Sequence, residues 1–144
     1  MKILRSEIVI RGTTEQVWSV LIDFKSYPQW NPFIKEASGK TEKGSRLKVT
    51  ISPPDGNSMT FRPKVLDAVP TQRLRWLGHL LIPGLFDGEH EFRIEQISPG
   101  QSRFLQSEQF RGILVNLFPN AMYEKIQHGF EAMNSALKER VEKL

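Results

Sequence analysis

The sequence predicts an α+β domain in which one curved antiparallel sheet wraps a long C-terminal helix. Three observations carry that prediction. Short alternations of apolar and charged residues recur between turn signals from Ile34 to Arg111, apolar residues recur at steps of four or three from Phe118 onward, and the 144 residues, 39% apolar, suffice for one core rather than two. The expected organisation is a single domain over residues 1–144.

The first element reads as a strand over residues 3–11, with Leu4, Ile8 and Ile10 on one side and Arg5, Glu7 and Arg11 on the other. Thr13-Thr14-Glu15-Gln16 then forms a capping box, in which the Thr13 hydroxyl accepts from the Gln16 amide while the Gln16 side chain reaches back. Val17, Leu21 and Phe24 follow at helical spacing, and Pro28 is expected to end the helix, because a residue before proline resists the α region. In Tyr27-Pro28-Gln29-Trp30-Asn31-Pro32-Phe33, Tyr27 and Phe33 read as core plugs and Trp30 as a plug or a cavity gate, with packing preferred. Asn31, held extended by Pro32, is placed to bond local backbone.

About six strands follow, punctuated by turn signals such as Pro53-Pro54-Asp55-Gly56-Asn57 and Ser98-Pro99-Gly100. Leu47, Val49 and Ile51 alternate with Arg46, Lys48 and Thr50; Phe61 and Val65 with Arg62 and Lys64; Leu74 and Trp76 with Arg73 and Arg75. Each strand has one apolar and one charged face, as in a sheet covered on one side. The cover is the tail, where Met122, Ile126, Phe130, Met133, Leu137, Val141 and Leu144 form one stripe. Its length is about 25 residues, nearly 40 Å, with Pro119 in the first turn. Ala121, Gly129, Ala132 and Ala136 flank the stripe and allow sheet or ligand to approach.

The chain contains no cysteine, which excludes disulfides and thiolate metal sites and fits a reducing cytoplasm. Charged residues interrupt the N-terminal apolar segment and no apolar run approaches a spanning length, so a soluble, cytoplasmic protein without leader or transmembrane segment is expected. His79, His90 and His128 are far apart and lack metal-ligand spacing; no metal and no cofactor are expected. A net charge of +4 is too small to indicate a nucleic-acid partner. The polar-face cations Arg46, Lys48, Arg62, Lys64, Arg73 and Arg75 leave open a basic sheet face that meets an acidic partner, with a solvated face as the alternative. Monomer and homodimer both stay open.

The order of elements, with Val17-Trp18-Ser19-Val20-Leu21-Ile22-Asp23-Phe24 running into Tyr27–Phe33, resembles the SRPBCC (START-like, helix-grip) superfamily, and within it the polyketide cyclase/dehydrase-like group. Leu74-Arg75-Trp76-Leu77-Gly78, Gly88-Glu89-His90-Glu91-Phe92 and Gly129-Phe130-Glu131-Ala132-Met133-Asn134 carry the same resemblance across the whole chain. It implies a helix-grip fold: a curved seven-stranded antiparallel sheet, two short helices between its first two strands, and a long C-terminal helix. It also implies a cavity between helix and sheet for a small apolar or aromatic molecule or lipid. No shared cofactor or catalytic set comes with it, and activity ranges from carriage to cyclase or dehydrase chemistry.

If Ile97–Gln101 forms the connection of a hairpin, Gln96 faces Ser102, Ile94 faces Phe104, Phe92 faces Gln106 and His90 faces Glu108. His90, Gln106 and Glu108 then point inward beside Phe92, Phe104 and Phe110. An imidazole facing a carboxylate in an apolar pocket can fix the sheet's register, orient a ligand, or act as an acid/base couple; His90 and Glu108 are thus the only catalytic candidates. The expected apolar wall is Trp76, Phe92, Phe104, Phe110, Met122, Ile126 and Phe130, extended by Phe118 and by Trp30 as gate. With nine Phe, three Trp and two Tyr, aromatic bulk can shrink the cavity below the usual ligand range of roughly 300–1,000 Å³.

Overall fold

The computed structural model describes residues 1–80 and 82–144. Strand β1 (Lys2–Ile10) leads into helix α1 (Thr14–Ile22), a single 3₁₀ turn (Phe24–Ser26) and the one-turn helix α2 (Tyr27–Trp30). Then come β2 (Ile34–Ser38), β3 (Lys48–Ile51), β4 (Met59–Phe61), β5 (Lys64–Val69), β6 (Arg73–Leu80), β7 (Phe86–Ser98), β8 (Gln101–Arg111) and the terminal helix α3 (Asn120–Glu142). This is the α+β helix-grip layout, with α3 closed in by antiparallel strands and two short helices between β1 and β2.

Among the described residues the strands number eight because of one residue. Pro63 has no N–H for a ladder, and it divides one long strand into β4, paired with β3, and β5, paired with β6. The strands therefore fall into a five-stranded sheet, β1-β8-β7-β6-β5, and a three-stranded sheet, β2-β3-β4. A bridge between Arg46 and Lys64 and the bonds Leu47 N–H to Pro63 C=O and Val65 N–H to Ser45 C=O tie the two together across the break. With β4 and β5 taken as one interrupted strand, the meander has the seven strands expected.

The capping box at Thr13 forms with both of its bonds. Pro28 corrects the sequence reading: it does not end a helix but sits in the first turn of α2, where its missing N–H is no loss. The Tyr27 hydroxyl donates to the Leu21 carbonyl, locking α2 onto α1. Burial, with the Asp23 charge adding, pushes that phenol's pKa far above its ordinary value. Asn31 Oδ1 accepts from the N–H groups of Phe33 and Ile34, at 3.0 and 2.8 Å, and so turns the chain into β2.

Helix α3 begins one residue later than expected, with Pro119 as its N-cap, and ends at Glu142, leaving Leu144 exposed. Its stripe from Ile126 through Phe130, Met133 and Leu137 to Val141 is buried. The small residue at 129 meets neither sheet nor ligand but the Phe33 ring, into which any Cβ would run. The same helix covers the free edge of β1: Gln127 Nε2 donates to the Arg5 carbonyl and Lys138 Nζ to the Val9 carbonyl, at 2.7 and 3.1 Å. An edge that would otherwise template another strand is thereby occupied.

The β7–β8 register is the one read from the sequence, with His90 opposite Glu108 and Phe92 opposite Gln106. The turn is tighter: Ser98 pairs with Gln101, a bulge separates Gln96 from Ser98, and Gly100 takes φ +74°. On the outer face Arg73 binds Asp67 at 2.6 Å, Arg75 binds Asp67 and Glu89, and Arg111 binds Glu89 at 3.0 Å. Arg73 and Arg75 thus belong to a ladder of alternating charge and not to a bare basic stripe.

Candidate functional site

Strand register brings the inward residues of the main sheet into rows. One row runs Leu4, Glu108, His90, Trp76, Val65 across five strands. The row below it, toward the hairpin turn, holds Ser6, Gln106, Phe92 and Leu74; the row above holds Phe110, Gly88 and Gly78. Two facing glycines leave that upper row without side chains over two strands, and an empty space lies there.

That space is a cavity of about 140 Å³ between the main sheet, the β2-β3-β4 sheet and the first turns of α3. Of the expected wall, it touches Trp76, His90, Glu108, Phe110, Phe118, Met122 and Ile126. Phe92, Phe104, Gln106 and Phe130 lie one row deeper in the packed core, each fully buried and off the cavity wall. Trp30 stands apart from the cavity, edge-on to Tyr27 with ring centroids 5.2 Å apart. Its Nε1 is buried without a partner among the described residues, which suits a packing plug better than a gate.

The opposite wall comes from Phe33, Val49, Ile51 and Phe61, which the sequence reading assigned only to core faces, and from Met59, which it did not single out, with Pro63 at the strand break. Their alternation was visible. What was not is that the β2-β3-β4 sheet folds over the cavity instead of over α3. Gly78 and Gly88 were the missed signal on the near wall, since a glycine inside a strand often marks close approach or deliberate space.

His90 is 3% exposed and fully hydrogen-bonded. Its Nδ1 lies 3.2 Å from Glu108 Oε2 and its Nε2 lies 2.9 Å from Gln106 Oε1. The chain continues from Gln106 Nε2 to Asn134 Oδ1 and from Asn134 Nδ2 to Ser6 Oγ, each 2.9 Å. The ring is caged by aromatics, with centroids 5.5 Å from Trp76, 4.4 Å from Phe92 and 5.1 Å from Phe130. A buried network of this kind is stable only when every member is satisfied, and here the protein supplies each partner. Glu108 differs: Oε2 meets His90, but no hydrogen bond from the described residues reaches Oε1, and the carboxylate borders the cavity.

At the rim, His79 Nδ1 lies 2.7 Å from Asp87 Oδ1, and the Gly84 N–H donates to the same carboxylate. Burial works against the Asp87 charge, but the bonds from His79 and Gly84 and the charges of His79 and Arg111 outweigh it and hold the carboxyl below its usual range. By alternation along β6 the His79 side chain falls on the outer face with Arg73 and Arg75, so only its backbone belongs to the wall. A second, more open concavity of about 240 Å³ lies outside, between the 3₁₀ turn and β2–β3, with Lys25, Glu36 and Lys48 on its wall. Among the described residues no three His, Asp or Glu side chains converge as metal ligands would, and no helix is long and apolar enough to cross a membrane.

A grip of antiparallel strands around α3, with an apolar cavity and one polar corner, defines a START-like domain. The chain belongs to the polyketide cyclase/dehydrase and lipid transport family, whose model matches residues 1–142. Solved structures share the fold at low identity. A START superfamily protein from Mycobacterium smegmatis superposes with TM-score 0.77 at 22% identity, covering 98% of this chain and 97% of that one. The Zhui aromatase/cyclase from Streptomyces sp. R1128 gives 0.76 at 14%, covering 99% and 94%. A hypothetical protein from Helicobacter pylori gives 0.79 at 14%, covering 97% and 88%. No curated protein is detectably similar in sequence.

Proposed function

We propose that this domain binds a small apolar molecule in the cavity between sheet and α3. The single observation that carries the reading is the cavity itself: an apolar space, opened by paired glycines at the centre of the main sheet, with one unsatisfied carboxylate oxygen at its edge. Trp76, Phe110, Phe118, Met122 and Ile126 supply the near wall and Glu108 the orienting group, held in place by His90. Phe92, Phe104, Gln106 and Phe130 support that row from beneath. At about 140 Å³ the cavity is smaller than the usual ligand range of roughly 300–1,000 Å³, which favours a compact molecule over a whole lipid. The family's association with lipid transport and the aromatase/cyclase among the structural neighbours both agree with an apolar occupant.

The test is native mass spectrometry of freshly purified protein, followed by titration with a graded series from toluene to dodecanol, read by tryptophan fluorescence. A co-purifying molecule or saturable uptake is expected. No co-purifying molecule and no uptake anywhere in the series would sink the reading.

A cyclase- or dehydrase-type enzyme using the same cavity is the second reading, favoured by the Glu108 oxygen that faces it. Under that reading His90→Ala and Glu108→Gln abolish turnover while ligand affinity stays within about tenfold, or about 1.4 kcal/mol. Loss of binding in step with turnover would assign the pair to ligand orientation instead.

A further inference from the structure

The hydrogen-bond chain behind the cavity limits what charge the occupant carries, and the cavity limits its size. Gln106 gives its side-chain N–H to Asn134 Oδ1, so its carbonyl oxygen faces His90. His90 Nε2 therefore carries a proton and donates it to Gln106. At 3.2 Å, Nδ1 and Glu108 Oε2 form a hydrogen bond only with one proton between them. Whether that proton sits on the ring or on the carboxyl, the His90–Glu108 pair has no net charge. Both nitrogens of His90 are committed to protein, so it offers the occupant nothing. Among the described residues of the wall, Glu108 Oε1 and the Trp76 Nε1–H are polar side-chain atoms without a protein partner; of the two, Glu108 Oε1 is the acceptor.

Size follows from the same row structure. About 140 Å³ is close to the roughly 150 Å³ engineered apolar cavity that takes up benzene. The rings of Trp76, Phe110 and Phe118 line it with flat faces and edges. Resting on the reading that this cavity binds an apolar molecule, we infer that its occupant is a neutral, single-ring aromatic compound bearing one hydroxyl, a simple phenol, which donates to Glu108 Oε1.

The experiment is calorimetric titration of the intact protein at pH 7 with toluene, p-cresol and benzylamine, and with dodecanol as a long-chain probe. The three one-ring molecules share size and differ in the polar group. p-Cresol is expected to bind about tenfold more tightly than toluene, because a hydrogen bond to a carboxylate oxygen without a protein partner is gained inside an apolar space, and to exceed protonated benzylamine. Equal affinity for toluene and p-cresol overturns the role of Glu108, and benzylamine binding most tightly overturns the neutral pair. Both results leave apolar binding intact. Uptake of dodecanol with no one-ring binding overturns the size argument, whereas no uptake of any probe removes the binding reading itself.

These comparisons need no variant. One variant adds a location for p-cresol and toluene alike. Gly88→Val should abolish uptake of both, since a Cβ there stands 3.4 Å from the Glu108 carboxyl and its methyl groups enter the cavity. One-ring uptake unchanged in Gly88→Val would place the occupant elsewhere and refute the inference.

Discussion

Replacing Gln106 by leucine isolates the hidden part of the polar chain. Gln106 is fully buried and joins two buried groups, His90 Nε2 and Asn134 Oδ1, at 2.9 Å each. Leucine restores most of the volume, so the cavity term is small. The lost amide strands a donor on His90 and an acceptor on Asn134, each costing about 1–3 kcal/mol, so the variant should lose about 2–6 kcal/mol. For a domain of this size about 3 °C accompanies each kcal/mol, which puts the melting temperature lower by roughly 6–18 °C. Reversible thermal and urea unfolding followed by far-UV circular dichroism measures both quantities. Adding Asn134→Leu removes one of the stranded groups, so the double variant should be more stable than additivity predicts by about 1 kcal/mol or more. A loss below about 3 °C, or single costs that simply add, would show that the chain is not a coupled network and would remove the basis for His90's fixed tautomer.

Other residues give independent checks. Trp30→Ala should cost about 2–3 kcal/mol, below the full cost of a buried aromatic because the ring is half-buried. Trp30→Phe should be nearly neutral, since it also removes a buried N–H without a partner among the described residues; equal losses in urea melts would contradict this. Gly129→Ala ordinarily gains about 1 kcal/mol in a helix, but here the methyl runs into Phe33, so a net loss of about 1–2 kcal/mol is expected, and a raised urea midpoint would refute the close approach. Because the folded Asp87 carboxyl titrates below its usual range, its contribution to stability is fully present above the ordinary carboxylate range and lost as pH falls through the lowered value. The melting-temperature gap between wild type and Asp87→Asn should therefore be larger at pH 6 than at pH 3; an equal gap at both would mean that the His79 and Gly84 contacts do not hold the charge.

The parts of the fold legible in the sequence are those governed by local rules. The Thr13 box, the β7–β8 register and the α3 stripe each depend on residues close in sequence or on strict alternation; the first two form as read, and the stripe does from Ile126 to Val141, with Leu144 beyond the helix and exposed. Pro28 was misread because a proline marks both the stop of one helix and the first turn of the next, and the intervening 3₁₀ turn decides between them. The deeper limit lies in the site. Alternation tells which face of a strand is inward but not which inward residue meets another side chain and which meets space. Phe92 and His90 point the same way, yet one is core and the other cavity wall. The difference is set by what stands opposite: the tightly packed α3 against the lower row, and the folded-over β2-β3-β4 sheet against the upper.

That division explains why the polar chemistry sits where it does. A carboxylate needs either water or partners, and at the boundary between rows Glu108 has a partner on one side and space on the other. One row deeper, any polar group must be fully satisfied, and Gln106 is, by His90 and Asn134. One row higher, side chains would close the space, and Gly78 and Gly88 keep it open. A Gly88→Ala variant tests this ordering more gently than valine: the added Cβ makes ordinary van der Waals contact with the Glu108 carboxyl. The fold should therefore stay intact while the cavity narrows, with weaker one-ring uptake and little change in melting temperature. If the melting temperature instead falls by the many degrees expected for Gln106→Leu while uptake is unchanged, the upper row is packed core like the lower one, and the functional reading of the paired glycines fails.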